Sequence, residues 1–279
     1  MNPGFSIGPL RFYYYGLILA AALVVAYLVA RRRAPRFGVP LGLIDAALLV
    51  VAPLGVVGAR LYYVAFSWDY YQAHLGEILR VQDGGLAIHG ALLGGLLGML
   101  LVWWYYRMRG GPRGQTRLRF SAILDVLAPA LPLAQAIGRL ANYVNHEAFG
   151  LPTTLPFGIY IPPDKRPAQF AMSEHFHPTF AYELIWNLIG VVLVLATERW
   201  FKKRAGNGQA INRSSSQGAL FAVYLGWYSL GRLWIEALRT DALLLGPLRI
   251  AQLISAAAVL GSAGYLWYRG RQWRATNAS

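Results

Sequence analysis

Arg139, Asn142 and Tyr143 stand at i, i+3 and i+4 within the run Gly138-Arg139-Leu140-Ala141-Asn142-Tyr143-Val144-Asn145-His146-Glu147-Ala148-Phe149-Gly150. On a helix that spacing points a guanidinium and an amide the same way, an arrangement suited to an anionic oxygen ligand. The plainer alternative is that Arg139 reaches for a membrane interface or pairs with a carboxylate such as Glu147. Further along, Tyr228, Arg232, Glu236 and Arg239 recur at i, i+4, i+8 and i+11 and form one polar stripe. Arg232 and Glu236 are within ion-pair reach, either as a self-neutralised packing pair or with Glu236 turning Arg232 toward a ligand. His89 precedes Gly90, Gly94 and Gly98, a small-residue face that lets another helix approach closely, so His89 is expected at a helix crossing. Arg60 is expected in a buried charge network and Asp125 beside a polar partner. Tyr15, Tyr182 and Glu183 stand equally as interfacial anchors or as parts of a site. Arginines that hold an anion, with a His or Tyr able to move a proton, are the chemistry these residues offer.

Other chemistries find no support. His74, His89, His146, His175 and His177 fall in different segments or in a loop, without metal-ligand spacing. No Gly-x-Ser-x-Gly is present. Cys is absent, which excludes disulfides, thiolate metal sites and a cysteine nucleophile supplied by this chain. Any thiol chemistry needs a thiol on the substrate.

The elements that position these groups are set by lipid. The 279 residues are 56% hydrophobic and 14% charged, with a mean hydropathy of +0.40, a balance that suits a bilayer better than water. Apolar runs of about 17–25 residues are candidate spanning helices, and seven are expected, over 13–30, 42–66, 86–106, 120–143, 179–198, 217–237 and 248–268. A basic cluster follows the first run instead of preceding it, so that run reads as a retained span and not a cleaved signal. The net charge of +14 is gathered at segment ends: Arg31, Arg32, Arg33 and Arg36; Arg107, Arg109, Arg113, Arg117 and Arg119; Arg199, Lys202, Lys203 and Arg204; Arg269, Arg271 and Arg274. These are alternate connections, so the positive-inside rule puts the N-terminus outside and the C-terminus in the cytoplasm. The flanking Tyr and Trp fit interfacial belts and argue against nucleic-acid stacking platforms.

The expected architecture is an all-α polytopic membrane protein forming a single integral domain over 1–279. A small outer head over 144–177 joins spans four and five and packs as a cap. The stretch 67–83 is expected along the bilayer surface and 206–216 in a polar cytoplasmic loop. A charge at the bilayer centre costs about 2.5–3.5 kcal/mol on insertion scales, so arginines within spans mark a functional site by default. In a bilayer the obvious anion is a phospholipid head group.

The run 138–150 resembles the signature of the prolipoprotein diacylglyceryl transferases, Gly-Arg-x-(Gly/Ala)-Asn-Phe-hydrophobic-Asn-x-Glu-x-x-Gly, at every fixed position but one. Tyr143 stands where Phe is usual, adding a hydroxyl and keeping the ring. Leu151 follows the last Gly where some members carry Arg. The likeness extends through Tyr15-Gly16, Gly58-Ala59-Arg60, His89-Gly90, Asp125, His177-Pro178, Tyr182-Glu183, Tyr228, Gly231-Arg232, Glu236 and Arg239.

That resemblance implies transfer of diacylglyceryl from phosphatidylglycerol to the lipobox cysteine of a prolipoprotein signal peptide. The reaction is expected at the outer leaflet of the bacterial inner membrane, with release of glycerol phosphate. It implies no metal or organic cofactor and no nucleic-acid partner. Family roles fall on Tyr15, His89, Arg139, Asn142, Glu147, Gly150, Tyr228, Arg232 and Glu236. Catalysis is expected from His89 as general base, with Tyr15 as second choice, and from Arg139 and Arg232 as a phosphate clamp. Asn142, Glu147, Gly150, Tyr228 and Glu236 are expected to bind and position phosphatidylglycerol. Two rivals remain: a lipid or anion transporter using the same arginines, and an aspartyl signal peptidase, for which Asp45 and Asp125 are the span aspartates.

Overall fold

The computed structural model describes residues 4–8, 10–81, 84–109, 118–204, 218–240, 244, 245 and 248–277. The polar loop expected over 206–216, with Arg113 and Arg117 of one basic cluster, lies outside the described residues. The chain is mostly helical. In order it forms the hairpin β1 (Gly4–Ile7) and β2 (Leu10–Tyr13), then α1 (Tyr14–Arg33), α2 (Leu41–Phe66), the short α3 (Trp68–Tyr71) and α4 (Ile88–Met108). It continues with α5 (Phe120–Leu127), α6 (Ala130–Asn145), β3 (Ile159–Tyr160), β4 (His175–Phe176), α7 (Thr179–Arg204) and α8 (Ala219–Leu238). The pair β5 (Leu244–Leu245) and β6 (Leu248–Arg249) and the helix α9 (Ile250–Asn277) close it. The three strand pairs are antiparallel and separate.

Helices α1, α2, α4, α7 and α9 are each long and apolar enough to cross a membrane. A helix suits that solvent because it satisfies its own backbone polar groups. Large apolar side chains such as Leu49, Phe66, Leu92 and Leu260 are exposed along them, as lipid-facing positions require. The chain is an all-α, multi-pass membrane protein. The expected unbroken span over 120–143 is instead the pair α5 and α6, bent by 43°. Pro129 sits in the break, where a ring without an N–H cannot continue the hydrogen-bond ladder. Expected span six forms as α8, which is long enough, but its stripe of Tyr228, Arg232 and Glu236 lowers its hydropathy below that of the five others.

The fold divides into two compact units, Arg31–Phe120 and the remainder, Met1–Ala30 with Ser121–Ser279. In the first, α2 and α4 pack through glycines. A Cβ on Gly90 would lie 2.1 Å from Gly58 O and one on Gly94 2.1 Å from Leu54 O, so only bare backbones fit at this crossing. Arg60 is buried and, among the described residues, joins no charge network. It donates from Nε to Ile78 O at 2.8 Å, from Nη1 to Gly84 O at 2.8 Å and Gly85 O at 3.1 Å, and from Nη2 to Glu77 O at 2.6 Å. Its guanidinium also lies 5.2 Å from the Tyr71 ring centroid. Among the described residues its partners are backbone carbonyls of the segment leading into α4, not the expected carboxylates. Asp45 accepts from Arg31 Nε at 2.9 Å.

In the second unit α6 packs on α7, α7 on α8 and α8 on α9. Trp186 and Trp227 stack at 4.1 Å, and each donates its Nε1–H to the other's backbone carbonyl at 2.8 Å. These paired bonds tie α7 to α8. Asp125 accepts from Gly218 N at 2.7 Å and Phe221 N at 3.1 Å, so it caps the start of α8, whose first N–H groups have no partner within the helix. With Asp45 and Asp125 each bound elsewhere in this way, neither carries the aspartyl peptidase reading. Between α6 and α7, Phe149, Ile161 and Phe176 form a small apolar cluster of their own around the β3–β4 pair.

Candidate active site

The ionisable residues singled out on α6 and α8 converge within the second unit, and the residue they converge on is Glu183. Helix α6 ends at Asn145, and His146 turns the chain out in the left-handed conformation with φ 52°. That reversal sets Glu147 beside the last helical turn, where Glu147 N donates to Asn142 O at 3.0 Å. The Glu147 side chain then accepts from Asn142 Nδ2 at 2.9 Å, and Asn142 Oδ1 accepts from Arg139 Nη1 at 3.0 Å. Glu147 thus holds the amide that holds the arginine. Arg139 Nη2 forms an ion pair with Glu183 Oε2.

Glu183 lies in the second turn of α7 and is only 3% exposed. Its Oε1 also meets Arg232 Nη1 at 3.1 Å and Arg239 Nη1 at 3.3 Å. Arg232 is held a second time through Nη2 by Glu236, one turn along α8. Arg249, at the end of β6, donates to the backbone carbonyls of Glu236 and Arg239. Among the described residues the guanidiniums of Arg139, Arg232 and Arg239 therefore gather on the single carboxylate of Glu183, with Glu147, Glu236 and Arg249 around them. An anion is the ligand such a cluster calls for.

Gly150 explains how Arg239 is kept in place. Gly150 N donates to His177 O at 2.8 Å and Leu151 N to Leu238 O at 2.7 Å, and Gly150 bridges to Arg239. A Cβ here would lie 2.8 Å from Leu238 O and 2.9 Å from His177 Cβ. The segment after α6 is thereby pinned between the start of α7 and the end of α8.

Tyr228, with Glu183, Trp186, Asn187, Gly231, Arg232 and Ile235, lines a small, half-open pocket between α7 and α8. Tyr15 is half-buried and within electrostatic range of Glu147 and Arg139. Tyr143 is exposed, with its ring 5.5 Å from that of Phe180 on α7. His89 lies in the other unit, exposed at the start of α4, with its ring 5.8 Å from that of Tyr62. It stands beside Gly90, which packs on Gly58 and Tyr62 where α2 and α4 cross. Among the described residues no group of three or more His, Asp and Glu side chains is placed to hold a metal ion.

Sequence reasoning left Glu183 undecided between anchor and site, and missed Arg249. The signal for Glu183 was a carboxylate just inside an apolar helix that nothing on its own helix neutralises; Arg249 gave none.

The profile of the family described as "Prolipoprotein diacylglyceryl transferase" matches residues 3–268. A protein of Parasynechococcus marenigrum named phosphatidylglycerol--prolipoprotein diacylglyceryl transferase is 44% identical over 283 residues, covering 97% of this chain and 96% of that one. Proteins of the same name from Trichormus variabilis and Acaryochloris marina are each 42% identical, over 94% and 95% of this chain and 87% and 91% of theirs. With a match that runs through every element of the arginine–glutamate cluster, the chain belongs to the prolipoprotein diacylglyceryl transferase family.

Proposed function

We propose that this protein transfers the diacylglyceryl group of phosphatidylglycerol to the thiol of the lipobox cysteine in a prolipoprotein signal peptide. The observation that carries this reading is the gathering of Arg139, Arg232 and Arg239 on the one buried carboxylate of Glu183. Sulfur attacks the glycerol carbon, the S–C bond forms, and the bond from that carbon to the phosphate oxygen breaks. The thiol proton goes to a base and glycerol phosphate leaves with one more negative charge than the diester carried.

Arg139 and Arg232 stabilise that developing charge in a site of low dielectric, where fixed donors count most. Their planar forks suit a phosphate in a way that lysine does not. Asn142, Glu147 and Glu236 orient the two arginines, Tyr228 lines the lipid head-group pocket, and Gly150 keeps the backbone close enough for Arg239 to join. The base is His89, an imidazole able to accept the thiol proton, since the thiolate is the nucleophile. Tyr15 is the alternative, favoured by its closeness to Arg139 and Glu147, although a phenol ordinarily titrates near 10.

In this reading α5 with α6 and α8 are spans as well, which makes seven. The N-terminus is outside, the basic connections are cytoplasmic, and residues 144–177 cap the site at the outer leaflet of the bacterial inner membrane. The transporter reading needs a polar path to the cytoplasmic face, and the cluster lies toward the other end of α6 and α8.

Purified protein given phosphatidylglycerol and a lipobox peptide is expected to yield a peptide whose cysteine gains the mass of diacylglyceryl. No adduct from a folded sample overturns the assignment. His89→Gln is expected to lower turnover more than phosphatidylglycerol binding; wild-type turnover in that variant passes the base to Tyr15, where Tyr15→Phe must then abolish it.

A further inference from the structure

We infer that Glu183 is a resident anion occupying the place of the substrate phosphate at Arg139, and that the diester binds by displacing it from that arginine. This rests on the transferase reading. One carboxylate, 3% exposed, serves guanidiniums from two helices. Without it three cations would face one another in a low-dielectric interior, where unpaired charges are costly. An empty site therefore needs an anion of its own.

The joint that opens is the one to Arg139. Arg232 is doubly held, by Glu183 and by Glu236. Arg139 is anchored through Nη1 to Asn142, while its Nε, shielded from solvent, has no hydrogen-bond partner. Glu183 Oε2, which abuts Nη2, likewise forms no aligned hydrogen bond. The Nε and Nη2 edge is the face a guanidinium offers to two oxygens at once, and here it is half used. A phosphodiester supplies both oxygens and the one negative charge that Glu183 gives up at this arginine. Once the lipid carbon has left, Glu183 competes again for Arg139 and helps expel glycerol phosphate.

The test measures glycerol phosphate binding in solution, and phosphatidylglycerol binding in phosphatidylcholine nanodiscs, for the wild type, Glu183→Gln and Glu183→Asp. Removing the competing charge, or shortening its arm by one methylene, is expected to tighten both ligands by about tenfold, equivalent to about 1.4 kcal/mol. Turnover is expected to fall as the product is held longer, so KM and kcat drop together. In the double variant Glu183→Gln with Arg139→Ala the tightening is lost. The Asp variant carries the test if the Gln variant does not fold. A purely structural Glu183 predicts equal or weaker binding in both, and that result overturns the proposal. A wild type that makes no lipid adduct overturns the reading beneath it, whereas an active wild type without tightening in the variants overturns the competition alone.

Discussion

Two arginine environments, the buried Arg60 in one compact unit and the part-buried Arg139 in the other, solve the same problem in opposite ways. Arg60 spends its donors on four backbone carbonyls of the chain between α3 and α4. Every partner belongs to the fold, and the Tyr71 ring covers the group's face. Arg139 has one amide, one carboxylate shared with two other arginines, and an Nε with no partner. A saturated guanidinium fastens a loop. An unsaturated one, with its fork held in position by Asn142 and Glu147, waits for two more oxygens.

The largest expected effect comes from the open arginine. Arg139→Ala is expected to lower diacylglyceryl transfer by on the order of 10²–10³-fold, about 2.7–4 kcal/mol of charge stabilisation, with a melting temperature close to wild type. Arg139→Lys does not restore the rate, because a point charge cannot serve two phosphate oxygens in the fixed geometry of a fork. If Arg139→Ala melts early yet keeps its turnover per folded molecule, the contrast with Arg60 collapses.

Next in size is the closed arginine. Arg60→Ala leaves several carbonyls without their donor, and a loss of about 3 kcal/mol, the upper end of the usual range, should appear as an earlier thermal transition. The smallest effect belongs to the glycine crossing beside it. Gly90→Ala drives a Cβ to 2.1 Å from Gly58 O, so α2 and α4 must separate at a cost of about 1–3 kcal/mol. Unfolding transitions of the purified variants rank the two.

The helices and the local pairs were legible because their signals are local. Length and apolarity mark α1, α2, α4, α7 and α9, and the i, i+4 spacing of Arg232 and Glu236 is enough to foresee their ion pair. The i, i+3 spacing of Arg139 and Asn142 likewise gives their hydrogen bond. The hub was not legible. Glu183 meets arginines on α6 and α8 only because those helices flank α7, and no spacing along the chain encodes that adjacency. Arg60 misled for a related reason: its partners are backbone carbonyls, which every residue carries, so no residue type announces them. Asp125 pairs with the start of a helix 93 residues away from it at Gly218, again a consequence of packing. The bend at Pro129 could be read, since a proline between two apolar runs interrupts the ladder, but the run's length suggested one continuous span.

Both arginines can be separated in one titration. Thermal unfolding of the wild type, Arg60→Ala and Arg139→Ala is followed as glycerol phosphate is added, where a ligand at a hundredfold its dissociation constant stabilises the folded state by about 2.7 kcal/mol. The account predicts that Arg60→Ala starts lower than wild type and is raised by the ligand to the same extent, while Arg139→Ala starts near wild type and is not raised. A ligand-dependent rise that survives in Arg139→Ala and vanishes in Arg60→Ala would place the phosphate site in the wrong unit and contradict it.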